Sequence, residues 1–212
     1  MSRTVKRILC YGDSLTAGFC RGGSKYYPYA SFLKEKLMES LENVDVEVDH
    51  HGFCGLTTKQ LLDNSCAESF RDVNRIPGPG IVSALNLKEY DLVILMAGTN
   101  DLLHGEPISV ISSNLKKLSQ LVLSKTMLLT IGIPDSSYFS LDKKAKETRE
   151  EINQMLSNQK EVGLKYVDCP LKFSSNTTDF DSDGLHFSES GSDKFASGIL
   201  KSVSSILFTK EK

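Results

Sequence analysis

The chain has 212 residues, 40% of them hydrophobic and 25% charged, with 25 Lys plus Arg against 27 Asp plus Glu for a net charge of -2. That length and ordinary composition imply a single domain over 1–212 and exclude a disordered, collagenous or low-complexity chain. The near-neutral balance removes the electrostatic reason to expect nucleic acid, and no run approaches the roughly 20 apolar residues that span a bilayer.

Residues 1–7 are basic, and the apolar stretch behind them stops at Cys10 before Gly12 and Asp13, too short for a signal-peptide core. The apolar run 5–11, closed by Gly12, predicts a buried strand feeding a loop. From Pro28 onward, Ala30, Leu33, Leu37 and Leu41 recur at the spacing of one helix face. Val44, Val46 and Val48 alternate with Asp45, Glu47 and Asp49, the period of a strand; its acidic outer face marks a sheet edge, where charge discourages unwanted pairing. A helix starting near Thr57 carries Leu61, Leu62 and Ala67, and the segment 75–80, with its Pro-Gly-Pro-Gly, forms a loop. The unbroken apolar run 92–97 reads as a central strand covered on both faces. A helix opening at Pro107, a strand over 126–131, a helix over 141–160, a strand over 164–167 and a last helix over 190–208 complete the chain. Five strands, each followed by a helix, predict parallel crossover units in a three-layer α/β/α sandwich. The ligand site then lies outside the carboxyl ends of the strands, just after Tyr11, His51, Ala97, Gly132 and Cys169.

Following the first strand, Gly12-Asp13-Ser14-Leu15-Thr16-Ala17-Gly18 puts a serine at a sharp strand-to-helix turn. Three readings compete there: an exposed nucleophile, a phosphate cradle in the flavodoxin manner, or ordinary turn chemistry. Beyond the second strand, Gly55 either serves its turn or presents a backbone N–H to the crevice that Ser14 faces. Asn100, beyond the third, either caps a helix or donates to a developing oxyanion. Near the C-terminus Asp183 stands three residues before His186, a spacing that lets the carboxylate meet the imidazole, set its tautomer and stabilise the imidazolium. Two other readings exist: a solvated loop histidine, and the first half of a calcium loop in Asp179-Phe180-Asp181-Ser182-Asp183-Gly184. A calcium loop requires Glu at its twelfth position, where Ser190 stands, so its bidentate ligand is missing. Each segment alone is weak. Together they supply a nucleophile, a base with its orienting acid and two oxyanion donors, the inventory of acyl transfer.

The blocks Gly12-Asp13-Ser14-Leu15, Gly55, Gly98-Thr99-Asn100-Asp101 and Asp183-Gly184-Leu185-His186 resemble, in order and approximate spacing, those of the SGNH hydrolases, also called GDSL esterases and lipases. The resemblance runs from residue 8 to about 190. It implies a flavodoxin-like five-stranded parallel sheet of order 2-1-3-4-5, which agrees with an acidic second strand at the edge. It also implies a serine esterase with Ser14 as nucleophile, His186 as general base and Asp183 as the acid that orients it. The implied oxyanion hole comprises the N–H groups of Ser14 and Gly55 and the side-chain amide of Asn100. Phe53 and Cys54 stand where a short polar context is usual, so Gly52 remains the weaker candidate for the second donor. No G-x-S-x-G elbow occurs, which argues against the ordinary α/β-hydrolase fold.

Asp13 and Asp101 read as structural carboxylates satisfying loop N–H groups, His104 as a rim or surface residue, and His50 and His51 as having no chemical role. The five cysteines, odd in number and without a CxxC pair, point to free thiols in a reducing, cytoplasmic compartment. Cys20 and Cys54 read as small fillers near the pocket, and Cys10 and Cys169 as core. Tyr26, Tyr27 and Tyr29 either wall the substrate or pack the helix entry. Leu15, Phe53, Leu102, Leu103, Ile133, Pro134 and Leu185 are the candidate substrate contacts. Their apolar character suits a small carboxylic ester of short to medium acyl length. A carbohydrate acetyl ester or a thioester suits the same site; a phosphate- or sugar-binding module is the non-catalytic alternative, against which the Asp183–His186 pair counts. The expected partner is thus a small-molecule ester, with no cofactor, metal, nucleic acid or membrane span, in a monomer or small homo-oligomer. With the four blocks spread over 212 residues, little is left for a lid or an appended targeting unit.

Overall fold

The computed structural model describes residues 4–40, 44–174 and 176–208, and it is built on a sheet whose central strand is apolar on both faces. The strands are β1 (Thr4–Asp13), β2 (Val44–Phe53), β3 (Leu92–Met96), β4 (Met127–Ile131) and β5 (Leu164–Val167). All pair in parallel, in the order β2-β1-β3-β4-β5 that the family resemblance implied. Strand alternation divides their side chains between two cores. Leu9, Tyr11, Val93 and Leu95 face α3 (Thr58–Asp63), α4 (Ile81–Leu87), α6 (Ile108–Leu123) and α8 (Lys143–Ser157). Ile8, Cys10, Ile94 and Met96 face α2 (Tyr29–Ser40) and α9 (Glu189–Phe208). Two one-turn helices, α1 (Ser14–Ala17) and α5 (Thr99–Leu103), sit directly at strand ends, and α7 (Ser137–Leu141) precedes α8.

Several elements differ from the sequence reading for local reasons. Helix α3 stops at Asp63, with Asn64 as its C-cap, so Ala67 lies beyond it; it starts next to Thr57 as expected, and a capping box between Thr57 and Gln60 fixes that start. The helix expected over 141–160 runs instead from Lys143 to Ser157: Asp142, whose carboxylate accepts from Lys144 and Ala145 N–H, caps its start, and Leu141 belongs to α7. Helix α4 had no counterpart in the sequence reading, since the Pro-Gly-Pro-Gly segment just before it obscured its short apolar face. That segment itself contributes Pro77–Gly78 to a ladder with Phe70–Arg71, and a second small hairpin pairs Phe19–Cys20 with Lys25–Tyr26. The acidic face of edge strand β2 is covered by cations, Lys88 reaching Glu47 at 2.9 Å and Asp49 at 2.6 Å and Arg7 reaching Glu47 at 3.1 Å. Leu41 and the first three residues of the basic N-terminal segment lie outside the described residues. No helix among the described residues is long and apolar enough to cross a membrane.

Burying a leucine side chain contributes about 1.5–3 kcal/mol, and truncating one in a packed core costs about 2–5 kcal/mol because a cavity remains. Leu95, in the central strand, is 1% exposed, whereas Leu87, at the end of α4, is 78% exposed. Leu95→Ala is therefore expected to lower the unfolding free energy in urea by about 2–5 kcal/mol, and Leu87→Ala to change it by less than about 0.5 kcal/mol.

Candidate active site

Because the strands are parallel, the loops leaving their carboxyl ends converge at one edge of the sheet. Strand β1 turns into α1 without an intervening residue: Asp13 is the N-cap, its carboxylate accepting the Leu15 N–H at 3.1 Å, and Ser14 is the first helical residue. The N–H groups of a helix's first turn have no intrahelical acceptor. The turn is tight enough to require backbone packing. A Cβ on Gly12 would stand 1.9 Å from the Met96 carbonyl oxygen, and one on Gly52 would stand 2.0 Å from the Ala17 nitrogen. Gly52 thus seats α1 on β2, while Gly55, at φ 73°, lies beyond the strand and lines the pocket.

From the opposite side the loop before α9 brings His186 to Ser14. His186 Nε2 lies 2.9 Å from Ser14 Oγ, and His186 Nδ1 lies 2.6 Å from Asp183 Oδ2. With Nδ1–H donating to the carboxylate, Nε2 is left to accept the Ser14 proton. The other Asp183 oxygen accepts the N–H groups of Leu185 at 2.9 Å and His186 at 3.0 Å, so the carboxylate also builds the loop that carries its partner. Partial burial raises the Asp183 pKa, but the bonds from the His186 ring and from the backbone outweigh it and hold the carboxyl at about 2. Asp183 therefore remains ionised throughout the neutral range.

Asn100 projects from α5, and its Nδ2 donates to the Leu56 carbonyl at 2.9 Å, which orients the amide while leaving its second hydrogen available. Asp101 beside it is buried and accepts both the N–H and the hydroxyl of Thr58, at 2.8 and 2.5 Å, tying α5 to the start of α3. Asp13 and Asp101 hold loops and do not touch His186. His104 is the exposed C-cap of α5. Burial lowers the pKa of His50 and His51, which lie on β2.

The pocket over Ser14 has a volume of about 160 Å³ and is lined by Ser14, Phe19, Cys54, Gly55, Val73, Asn74, Asn100, Leu185 and His186. Of the candidate substrate contacts, only Leu185 belongs to it. Leu15, Phe53 and Ile133 point into the cores, and Leu102 and Leu103 border a separate groove with His104 and Pro107. Phe19, Val73 and Asn74 of its wall come from the two small hairpins. Phe19 packs its ring 4.6 Å from the His186 ring and edge-on to Tyr26, whose hydroxyl lies 3.4 Å from Asn74 Nδ2. Tyr29, by contrast, is buried against Phe195. Nothing periodic in the sequence marked Phe19, Val73 or Asn74; the only signal was the Asp-x-Asn of a turn ahead of Pro77. The Cys54 thiol is pushed up to about 12 by burial and by the neighbouring Asp72 carboxylate, so it is a protonated wall residue at neutral pH. The three carboxylates of the calcium-loop-like segment go separate ways, Asp179 to Lys194, Asp181 to the Arg21 N–H and Asp183 to His186.

Burial pushes Asp13 up to about 6, against the pull of the Leu15 N–H and of His186. A raised carboxyl pKa means the folded protein holds its proton to higher pH than the unfolded chain. The contribution to stability is then complete below the unfolded value near 3.9 and is lost as pH rises through about 6. Asp13→Asn, which retains an oxygen for the Leu15 N–H, is expected to match the native melting temperature at pH 4. Above pH 7 it should exceed native stability, by an amount on the order of 2–3 kcal/mol. Melting curves of both proteins from pH 4 to pH 8 check this.

A family model described as the GDSL-like Lipase/Acylhydrolase family matches residues 10–194. An arylesterase of Vibrio mimicus is 32% identical over 136 residues, which are 63% of this chain and 58% of that protein, so the chain spans little more than half the length of this curated relative. Among solved structures, a family 3 carbohydrate esterase of Clostridium thermocellum superposes with a TM-score of 0.70 at 23% identity, covering 96% of this chain and 98% of that one. A lipase/acylhydrolase of Enterococcus faecalis gives a TM-score of 0.70 at 20% identity, covering 98% of this chain and 100% of that one. At these identities the two structures share the fold with this chain.

Proposed function

The chain belongs to the GDSL-like lipase/acylhydrolase family, and on that premise we propose that it is a serine esterase that hydrolyses small carboxylic esters through an acyl-enzyme. The observation that carries this reading is the unbroken relay from Asp183 Oδ2 to His186 Nδ1 at 2.6 Å and from His186 Nε2 to Ser14 Oγ at 2.9 Å, opening on a pocket.

In the first half-reaction, Ser14 Oγ bonds to the ester carbonyl carbon as its proton passes to His186 Nε2, and the carbonyl oxygen becomes an oxyanion. Asp183 stabilises the imidazolium without taking the proton. The oxyanion is met by the N–H groups of Ser14 and Gly55 and by the free hydrogen of Asn100 Nδ2. Collapse of the tetrahedral intermediate breaks the bond to the alcohol, which leaves with the proton from His186. Water then gives a proton to His186 and its oxygen to the acyl carbon. The second tetrahedral intermediate releases the carboxylic acid and returns the proton to Ser14.

The pocket volume supports a short acyl group. A cavity of about 150 Å³ holds one benzene, so about 160 Å³ accommodates some six heavy atoms beside Ser14, enough for acetyl to butyryl. A carbohydrate acetyl ester presents the same acyl group and belongs among the substrates to be assayed.

Two measurements test the reading. A fluorophosphonate probe is expected to label the native protein and leave Ser14→Ala unlabelled, and p-nitrophenyl esters are expected to turn over fastest from acetate to butyrate and slower by octanoate. Equal labelling of the two proteins would overturn the nucleophile, and rates still rising at octanoate would overturn the short-acyl assignment. Asn100→Ala removes a donor that acts on charge developing in the transition state, so kcat should fall about 10²–10³-fold with a much smaller change in KM.

A further inference from the structure

Besides Asp13 and Asp101, a third buried carboxylate lies outside the relay. Asp72 is 6% exposed, and it accepts three backbone N–H groups: Asn74 at 2.9 Å and Ile76 at 2.8 Å on Oδ1, and Cys54 at 3.0 Å on Oδ2. The first two fold its own turn, which Arg75 N–H on Asp72 O and Asp72 N–H on Ile76 O complete. The third reaches the loop after β2. The Val73 N–H returns to the Cys54 carbonyl at 3.3 Å, so the Cys54 backbone is held on both sides by residues 72 and 73.

That loop is a β-turn over 53–56, closed by Leu56 N–H on Phe53 O at 3.4 Å, with Gly55 in its third position at φ 73°. A positive φ there is the mark of a type II turn. Types I and II differ in the orientation of the central peptide, here Cys54–Gly55, and glycine populates both. Since a trans peptide is planar, the Cys54 C=O and the Gly55 N–H point in opposite directions. Drawing the carbonyl toward Val73 therefore turns the Gly55 N–H away from the hairpin. Among the described residues no protein group accepts that N–H, and Gly55 lines the same pocket as Ser14 and Asn100. The Val73 side chain also closes over the glycine, with its Cγ2 2.8 Å from where a Cβ would be.

We propose that Asp72 is a positioning residue for ester hydrolysis: with the Val73 N–H, it holds the Cys54–Gly55 peptide in the orientation that presents the Gly55 N–H to the oxyanion. This rests on the serine-esterase reading above. Asp72 touches no reacting atom; it acts through the turn, and its effect belongs in the transition state and not in substrate affinity.

The test compares native protein with Asp72→Asn on an ester and on its thionoester, in which sulfur replaces the carbonyl oxygen and accepts hydrogen bonds poorly. Misdirecting one oxyanion donor should cost less than deleting it, so kcat on the ester is expected to fall about 10–100-fold with KM within about twofold. The ratio of ester to thionoester kcat/KM is expected to fall about tenfold, because only the ester benefits fully from the donor. A loss of folded protein scales both substrates equally and leaves that ratio unmoved. An unchanged ratio, or unchanged kcat, in a preparation whose native form turns over the ester overturns the role of Asp72 and leaves the esterase reading standing. A native protein that turns over neither substrate overturns both. Where Asp72→Asn does not yield folded protein, Asp72→Ser, which retains one acceptor oxygen, takes its place: a fall in the same ratio supports the role of Asp72, and an unchanged ratio overturns it.

Discussion

Parallel pairing of all five strands is the constraint from which the rest of the molecule follows. A parallel sheet can be continued only by crossovers, each of which carries the chain back along one face, and every strand then delivers its carboxyl end to the same edge. Residues 14, 55, 100 and 186 are thereby brought around one pocket despite their distance along the chain. The same crossovers bury both faces, which is why β1 and β3 are apolar in alternate registers toward two different cores. Core and site are consequences of one topology.

Loops at such an edge have little apolar surface to hold them, and here buried carboxylates take that role. Asp13, Asp72 and Asp101 are all buried, and each accepts at least one N–H group from a segment bearing on the pocket. A buried carboxylate is tolerable when its oxygens are satisfied by well-placed donors. Both oxygens of Asp72 and of Asp101 are so satisfied, and a loop that moved away from either would leave acceptors unsatisfied; Asp13 has the Leu15 N–H on one oxygen only, and its raised pKa is the cost. The turns are held by these hydrogen bonds without a disulfide, although the chain has five cysteines, all free.

Much of this was legible in the sequence, and the reasons are physical. The run 92–97 is apolar on every residue because β3 is covered on both sides, and the acidic alternation of β2 marked it as an edge strand. Asp183 and His186 stand three residues apart on one loop, a spacing that allows their contact. The pocket walls were not legible. Leu15 and Phe53 are apolar neighbours of the key residues, but the residue beside a pocket-facing one on a strand or tight helix points elsewhere, and both fill cores. Phe19, Val73 and Asn74 reach the pocket from hairpins whose ladders are only two residues long, too short to imprint a period. Asp72 was hidden for a related reason: its partners are backbone N–H groups, and every residue but proline has one.

The cysteines have a practical side as well. Cys10, Cys20 and Cys54 are buried and Cys169 partly so, and burial shifts all four thiols upward, away from the thiolate that alkylating reagents require. Cys66, just past α3, is the exposed one. The native chain thus has a ready-made attachment point for a fluorophore or spin label, on a loop outside the pocket wall, from which the hairpins could be followed by spectroscopy with no cysteine engineered in or out.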